Sequence, residues 1–218
     1  MNLAAKVISI LFHPLFLPLY ALPLYFSIEN YQNLILNNAD INFLSAIYSV
    51  MALVGVLFPI LSMYVMIRTG LLSDFNAYNR VERKPVFFIV LLYYLMVYFM
   101  FRSWNSSLYH LLDPLLSFLS GGIYLLLICF VINHKWKISL HSTSISALTA
   151  TFLAFSISMP SIENPIYLVI VNLVLLLIMG VVSSARLVLK AHQPHEVYMG
   201  ILIGFTVEMI VVYFNLSI

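Results

Sequence analysis

Long apolar runs alternate with short polar segments along the whole chain. The runs cover roughly 7–27, 42–67, 86–102, 110–132, 142–160, 165–188 and 197–215, most of them close to the ~20 residues that cross a bilayer. Backbone groups in lipid must be satisfied within the segment, so these runs predict helices and not strands. The expected fold class is all-α: a polytopic membrane helical bundle with about six to seven transmembrane helices. The segment Asn30–Asp40, with Asn33, Asn37 and Asn38, reads as a loop. Thr69–Lys84 is the densest in charge, and Asn133–His141 and Lys190–Glu196 are the other polar segments rich in ionisable groups. Trp104 and Tyr109, beside the short third run, suit a membrane interface.

Composition agrees with this pattern. Hydrophobic residues make up 63% of the 218 positions and charged residues only 8%, against about 25% charged in soluble domains. Residues 1–218 are expected to form one integral membrane domain without a separate soluble part. The first run carries Pro14, Pro18 and Pro23 and is not followed by a clean small-residue cleavage site, so it reads as a retained helix and not a cleaved leader. The single cysteine, Cys129, lies inside an apolar run, where a buried inert thiol is expected. Nothing in the sequence resembles a basic arm for nucleic acid.

Helix parity places three polar segments on one membrane face: the one before Pro85, the one around His141 and the one around His192. Nine of the ten basic residues then share that face: Lys6, Arg68, Arg80, Arg83, Lys84, Lys135, Lys137, Arg186 and Lys190, with Arg102 alone opposite. The bias makes that face cytoplasmic by the positive-inside rule, although several of these cations are equally suited to holding an anion.

Ionisable groups near bilayer depth are costly and so are candidates for function. Arg186, His192 and Glu196 stand at offsets 0, 6 and 10. A helix opening at Pro194 places Pro in the first turn and Glu196 where the helix dipole favours negative charge. His192 then sits just before that helix. Guanidinium groups bind phosphate oxygens in a planar fork. A neutral imidazole can attack phosphorus, a carboxylate on its other nitrogen fixes the tautomer, and a second imidazole can protonate the leaving oxygen. His195, His13 and His110 read as bystanders or interface residues. Glu208, deep in the last run, has no evident role.

Three motifs bear a family resemblance. Arg186-x5-His192-x3-Glu196 resembles the third signature of the type-2 phosphatidic acid phosphatase superfamily, Ser-Arg-x5-His-x3-Asp. Ser139-Leu140-His141 resembles its second signature, Pro-Ser-Gly-His, and Arg80-x-Glu82-Arg83-Lys84-Pro85 resembles the end of its first. The resemblance covers about 80–200 and implies a phosphatase-like core over about 80–215. It implies that His192 is the nucleophile, Glu196 its carboxylate partner and His141 the acid for the leaving group. Arg80, Arg83, Lys84, Lys137, Ser139 and Arg186 would bind phosphate. Ile138, Leu140, Ala185 and Glu196 depart from the family pattern, and Leu140 in place of glycine would narrow the backbone approach to phosphate.

The resemblance implies a bacterial inner-membrane hydrolase that needs no metal or other cofactor. Its partner would be a lipid phosphate or polyprenyl diphosphate. The departures leave a second expectation, a catalytically degenerate protein that binds or transports a phosphate-bearing lipid. A metal site built from His141, His192, His195 and Glu196 is a third, disfavoured by the clustered cations.

Overall fold

The computed structural model describes residues 2–38, 41–75, 81–107, 110–159 and 165–217. Among these, every regular element is helical, and seven helical stretches are long and apolar enough to cross a membrane. The protein is an all-α polytopic membrane bundle, with the spans at the places the apolar runs predicted.

Prolines interrupt the first two spans. In the first, α1 (Leu3–Leu11) and α2 (Leu17–Phe26) are joined through a short 3-10 turn at Pro14–Phe16. His13 accepts the Leu15 N–H through Nδ1 there, capping the turn. In the second, α4 (Ile41–Val50) passes through a π-helical stretch at Met51–Leu57 into α5 (Phe58–Arg68). Pro59 stands at the start of α5. Its missing N–H and bulky ring are incompatible with regular pairing to the preceding turn, so the helix widens just before it.

The Asn30–Asp40 segment departs from the loop expectation. Residues Tyr31–Asn37 form a short helix, α3, because the Asn30 side chain accepts the Asn33 N–H at 2.8 Å. Asparagine is among the strongest N-caps, and here it overrides a turn-like composition.

The remaining spans are single helices: α6 (Arg83–Ser107), α7 (Asp113–Ile132), α8 (Leu140–Ser158), α9 (Pro165–Val188) and α10 (Pro194–Ser217). The least apolar of the seven spans, α8, is also the most interior. About 72% of its residues are buried, whereas the other spans range from 22% to 39%. In lipid the outside of the bundle must be apolar, so the helix with the most hydroxyls belongs at the centre. Many of its hydroxyls are satisfied by bonding backward along the helix, among them Thr143 to the Ser139 carbonyl, Thr149 to Ile145 and Thr151 to Ala147.

α10 packs along α8 through Gly200 and Gly204. A Cβ at Gly200 would lie 2.9 Å from Thr143 Oγ1 and 3.0 Å from the Ser139 carbonyl oxygen, and one at Gly204 would overlap the Thr143 carbonyl. Small residues four apart let two helix backbones approach closely, the usual route to tight packing in lipid. Cys129 is buried on α7 beside Phe87 and Ile138.

Candidate functional site

The two helices that carry the third motif are joined by a tight, well-defined connection. α9 ends in a Schellman motif: the Ala191 N–H bonds to the Arg186 carbonyl at 3.2 Å and the Lys190 N–H to the Leu187 carbonyl at 2.9 Å. Lys190 takes the left-handed conformation (φ 51°) that this motif requires. Four residues after Lys190, Pro194 opens α10. His192 is therefore held on a short hinge between two rigid helices.

Glu196 lies in the first turn of α10 and does two things at once. Its Oε2 accepts the Gln193 backbone N–H at 3.2 Å and the His192 Nδ1–H at 2.7 Å. The first contact is the return half of a capping box. The second directs the His192 proton to Nδ1 and leaves Nε2 as the free lone pair. The pair is well shielded, with 2% of the His192 side chain and 13% of the Glu196 side chain exposed.

Hydrogen bonds stitch the three polar segments together. Arg83, at the start of α6, donates Nη1 to the Ile138 carbonyl at 3.0 Å. Lys137 donates Nζ to the Ala191 carbonyl at 3.1 Å. The Ser139 N–H bonds to the Glu196 carbonyl at 3.2 Å. The shared membrane face inferred from helix parity thus becomes direct contact.

Burial is the largest influence on the His192 imidazole, and with the nearby charges of Arg186, Arg83 and Lys137 it lowers the pKa to about 4, against the opposing pull of Glu196. Lys137 is shifted below the ordinary lysine range, first by burial and then by Arg83 and Arg186, with Glu196 acting the other way. Outside this group, Glu82 is held below the usual carboxylate range by the Ser73 backbone N–H and hydroxyl, both bonded to its Oε2.

A cavity of about 160 Å³ opens beside the cluster. His13, Arg83, His141, Arg186 and His192 line one part of it, and Val90, Phe118, Leu125 and Leu148 are among its apolar walls. Of the residues expected to bind phosphate, Arg83 and Arg186 line this cavity and are nearly fully buried. Lys137 is close but turned to the Ala191 carbonyl. Two of the other expected phosphate-binding residues lie apart from the cavity lining. Lys84 is exposed and does not line the cavity, because the helical turn that buries Arg83 directs its neighbour outward. Ser139 is fully buried as the N-cap of α8, its hydroxyl engaged by the Ser142 N–H and hydroxyl. Arg80 lies outside the described residues.

Leu140, whose side chain was expected to narrow the approach to phosphate, lines the cavity. It is the first residue of α8 after a Ser139 in extended conformation, and no left-handed residue occurs there.

The first span contributes a part of the site that the sequence motifs missed. Ser9 is buried on α1; its hydroxyl accepts from Arg186 Nη1 and lies 3.3 Å from His141 Nε2. The Ser9 carbonyl accepts the His141 Nε2–H at 3.0 Å. His13 stands edge-on to His141 with ring centroids 5.2 Å apart, so it belongs to the cavity and not to the interface alone. Only the parity that placed Lys6 on this face pointed to the first span. His195 is exposed, in keeping with its reading as a bystander. Among the described residues, no three His, Cys, Asp or Glu side chains converge as a metal-ligand set.

Fold and site together define an integral membrane protein with a buried, cation-lined His–Glu pair at one end of its bundle. No family model matches the chain, and no curated protein or solved structure matches it either.

Proposed function

We propose that this protein is a membrane-embedded phosphatase of lipid phosphates or polyprenyl diphosphates, related to the type-2 phosphatidic acid phosphatase superfamily, and that it works in a bacterial inner membrane. The observation that carries this reading is the 2.7 Å bond from His192 Nδ1 to Glu196, made beside the Arg83 and Arg186 guanidinium groups in one cavity. The bond leaves Nε2 unprotonated and able to attack, while the guanidinium groups offset the charge on the phosphoryl oxygens.

In the first step His192 Nε2 bonds to phosphorus as the phosphorus–oxygen bond to the leaving group breaks. His141, protonated on both nitrogens, gives its Nδ1 proton to the departing oxygen while its Nε2–H stays on the Ser9 carbonyl. In the second step water attacks phosphorus, His141 takes a proton back, and the phosphorus–nitrogen bond breaks to release phosphate. Ser9 and Glu196 position the two imidazoles and touch no reacting atom. The lipid tail stays in the apolar part of the cavity or in the bilayer.

A second reading is a binding or transport protein that holds a phosphate-bearing lipid without hydrolysing it. The capping role of Ser139 favours it, since that hydroxyl is withdrawn from any phosphate. Phosphate release from a panel of lipid phosphates and diphosphates, measured on the purified protein, decides between them. Turnover above the uncatalysed rate on at least one lipid is the expected result, and binding without release would establish the second reading.

The pH dependence provides a separate check. Protonation at Nε2 removes the nucleophile, so activity is lost on acidification along a limb centred near pH 4. The same depression has a sign for folding. The unfolded chain takes up this proton at 6.5, before the folded protein does, so stability declines as pH falls from 6.5 towards 4. A steady-state rate–pH profile with its limb above pH 6 would contradict a buried, cation-flanked nucleophile.

A further inference from the structure

Glu208 has no part in the chemistry just described, yet the cavity reaches it. It is fully buried on α10 and lines the cavity that also holds Arg186 and His192. One carboxyl oxygen, Oε1, lies 3.1 Å from the Thr151 hydroxyl, which it shares with the Ala147 carbonyl, and the other, Oε2, has no hydrogen-bond partner. Buried polar groups are nearly always paired, so an unpaired carboxyl oxygen on a residue that lines a cavity marks a missing partner.

The surroundings are shaped around it. Gly121 lies opposite, and a Cβ there would come within 2.5 Å of Glu208 Oε2. The wall of the cavity is otherwise mostly apolar, with Val90, Phe118, Leu125 and Ala147 in it beside Tyr94. A few hydrogen-bonding groups set in mostly apolar walls are the usual construction of a site that selects one polar feature of an otherwise greasy ligand.

Its position sets where that feature must be. Glu208 is twelve residues along α10 from Glu196, about 18 Å at the rise of a helix. Thr151, its partner on α8, is ten residues beyond His141, about 15 Å. An extended chain advances about 1.2 Å per bond, so the ligand group lies about 12 to 15 bonds from the phosphate.

We propose that Glu208, with Thr151 and Gly121, forms a deep tail-recognition site for an amphiphile that carries a hydroxyl or amide N–H about 12 to 15 bonds from its phosphate. The proposal rests on the reading that Arg83, Arg186 and His192 receive that phosphate. Glu208 determines specificity and does not take part in the reaction.

The test uses the purified full-length protein and alkylphosphonates, whose carbon–phosphorus bond this mechanism does not cleave. Dissociation constants are measured by calorimetry for methyl-ended and ω-hydroxyl chains of about 8 to about 18 carbons, which bracket the span. The hydroxyl should tighten binding about tenfold, as a hydrogen bond to a carboxyl group would, and only near the matching length. Glu208→Met should abolish that optimum and leave the methyl-ended series unchanged.

A hydroxyl effect that is flat with length, or an optimum that survives Glu208→Met, overturns the deep site and leaves the phosphate site standing. Phosphonates that bind no tighter than the matching alcohols overturn both. Should the Met variant not fold, the length profile of the unmodified protein decides alone.

Discussion

Replacing His192 with alanine is expected to lower phosphate release by about a thousandfold or more while leaving the bundle folded. The size follows from the proposed role: a residue that would form the covalent intermediate could not be replaced by its neighbours, and losses of this order accompany removal of a nucleophile. The fold should survive because His192 sits on the connection between α9 and α10 and not within a helix–helix contact. Pro194 and the Schellman turn at Lys190 fix that connection without it. What the variant leaves behind is a Glu196 carboxylate that still caps α10 through the Gln193 N–H.

A graded series sharpens the expectation. Glu196→Gln keeps the backbone cap but weakens the hold on Nδ1, so it should slow turnover less than loss of the imidazole does. Turnover in His192→Ala equal to that of the unmodified protein, with circular dichroism and detergent-solubilised elution unchanged, would remove the histidine from the chemistry. In that event the cation-lined cavity would be a binding site.

The outline of the bundle was legible because lipid imposes a strong rule on composition. Span positions follow from run length alone, and the shared face of the polar segments follows from helix parity. The offsets 0, 6 and 10 also translated directly into geometry, since Pro194 could only begin a helix and Glu196 then fell in its first turn.

Other features depend on tertiary packing that leaves no local trace. Ser9 looks like any small residue in an apolar helix, and its role exists only because α1 packs against α9. Ser139 appeared in a phosphate-binding motif, but Ser, Thr, Asn and Asp at a helix start are drawn to the backbone N–H groups there. Arg83 and Lys84 are adjacent and chemically alike, and only helix orientation buries one and exposes the other. The central place of α8 could have been read from its hydroxyl content, because a helix of Ser and Thr has little reason to face lipid.

The tight seam between α8 and α10 sets the second large effect. Gly204→Val is expected to destabilise the protein by about 3 kcal/mol or more, or to prevent its accumulation in the membrane. The added Cβ would meet the Thr143 carbonyl oxygen and the Ser146 hydroxyl. A backbone carbonyl cannot swing aside as a flexible side chain can, so the helices must separate. Separation reaches the candidate site directly: the Ser139 N–H to Glu196 carbonyl bond joins these same two helices one turn from His192 and His141. Loss of stability and loss of activity should therefore fall together in this variant, unlike in His192→Ala. Gly180→Ala supplies the contrast, because a Cβ at Gly180 meets nothing within 4 Å. That substitution should be neutral or stabilise α9 by about 0.5–1 kcal/mol through helix propensity. Thermal unfolding in detergent, followed for both variants beside the unmodified protein, measures the difference. Equal behaviour of Gly204→Val and Gly180→Ala would mean that α8 and α10 do not approach this closely, and the cavity bounded by them would have to be redrawn.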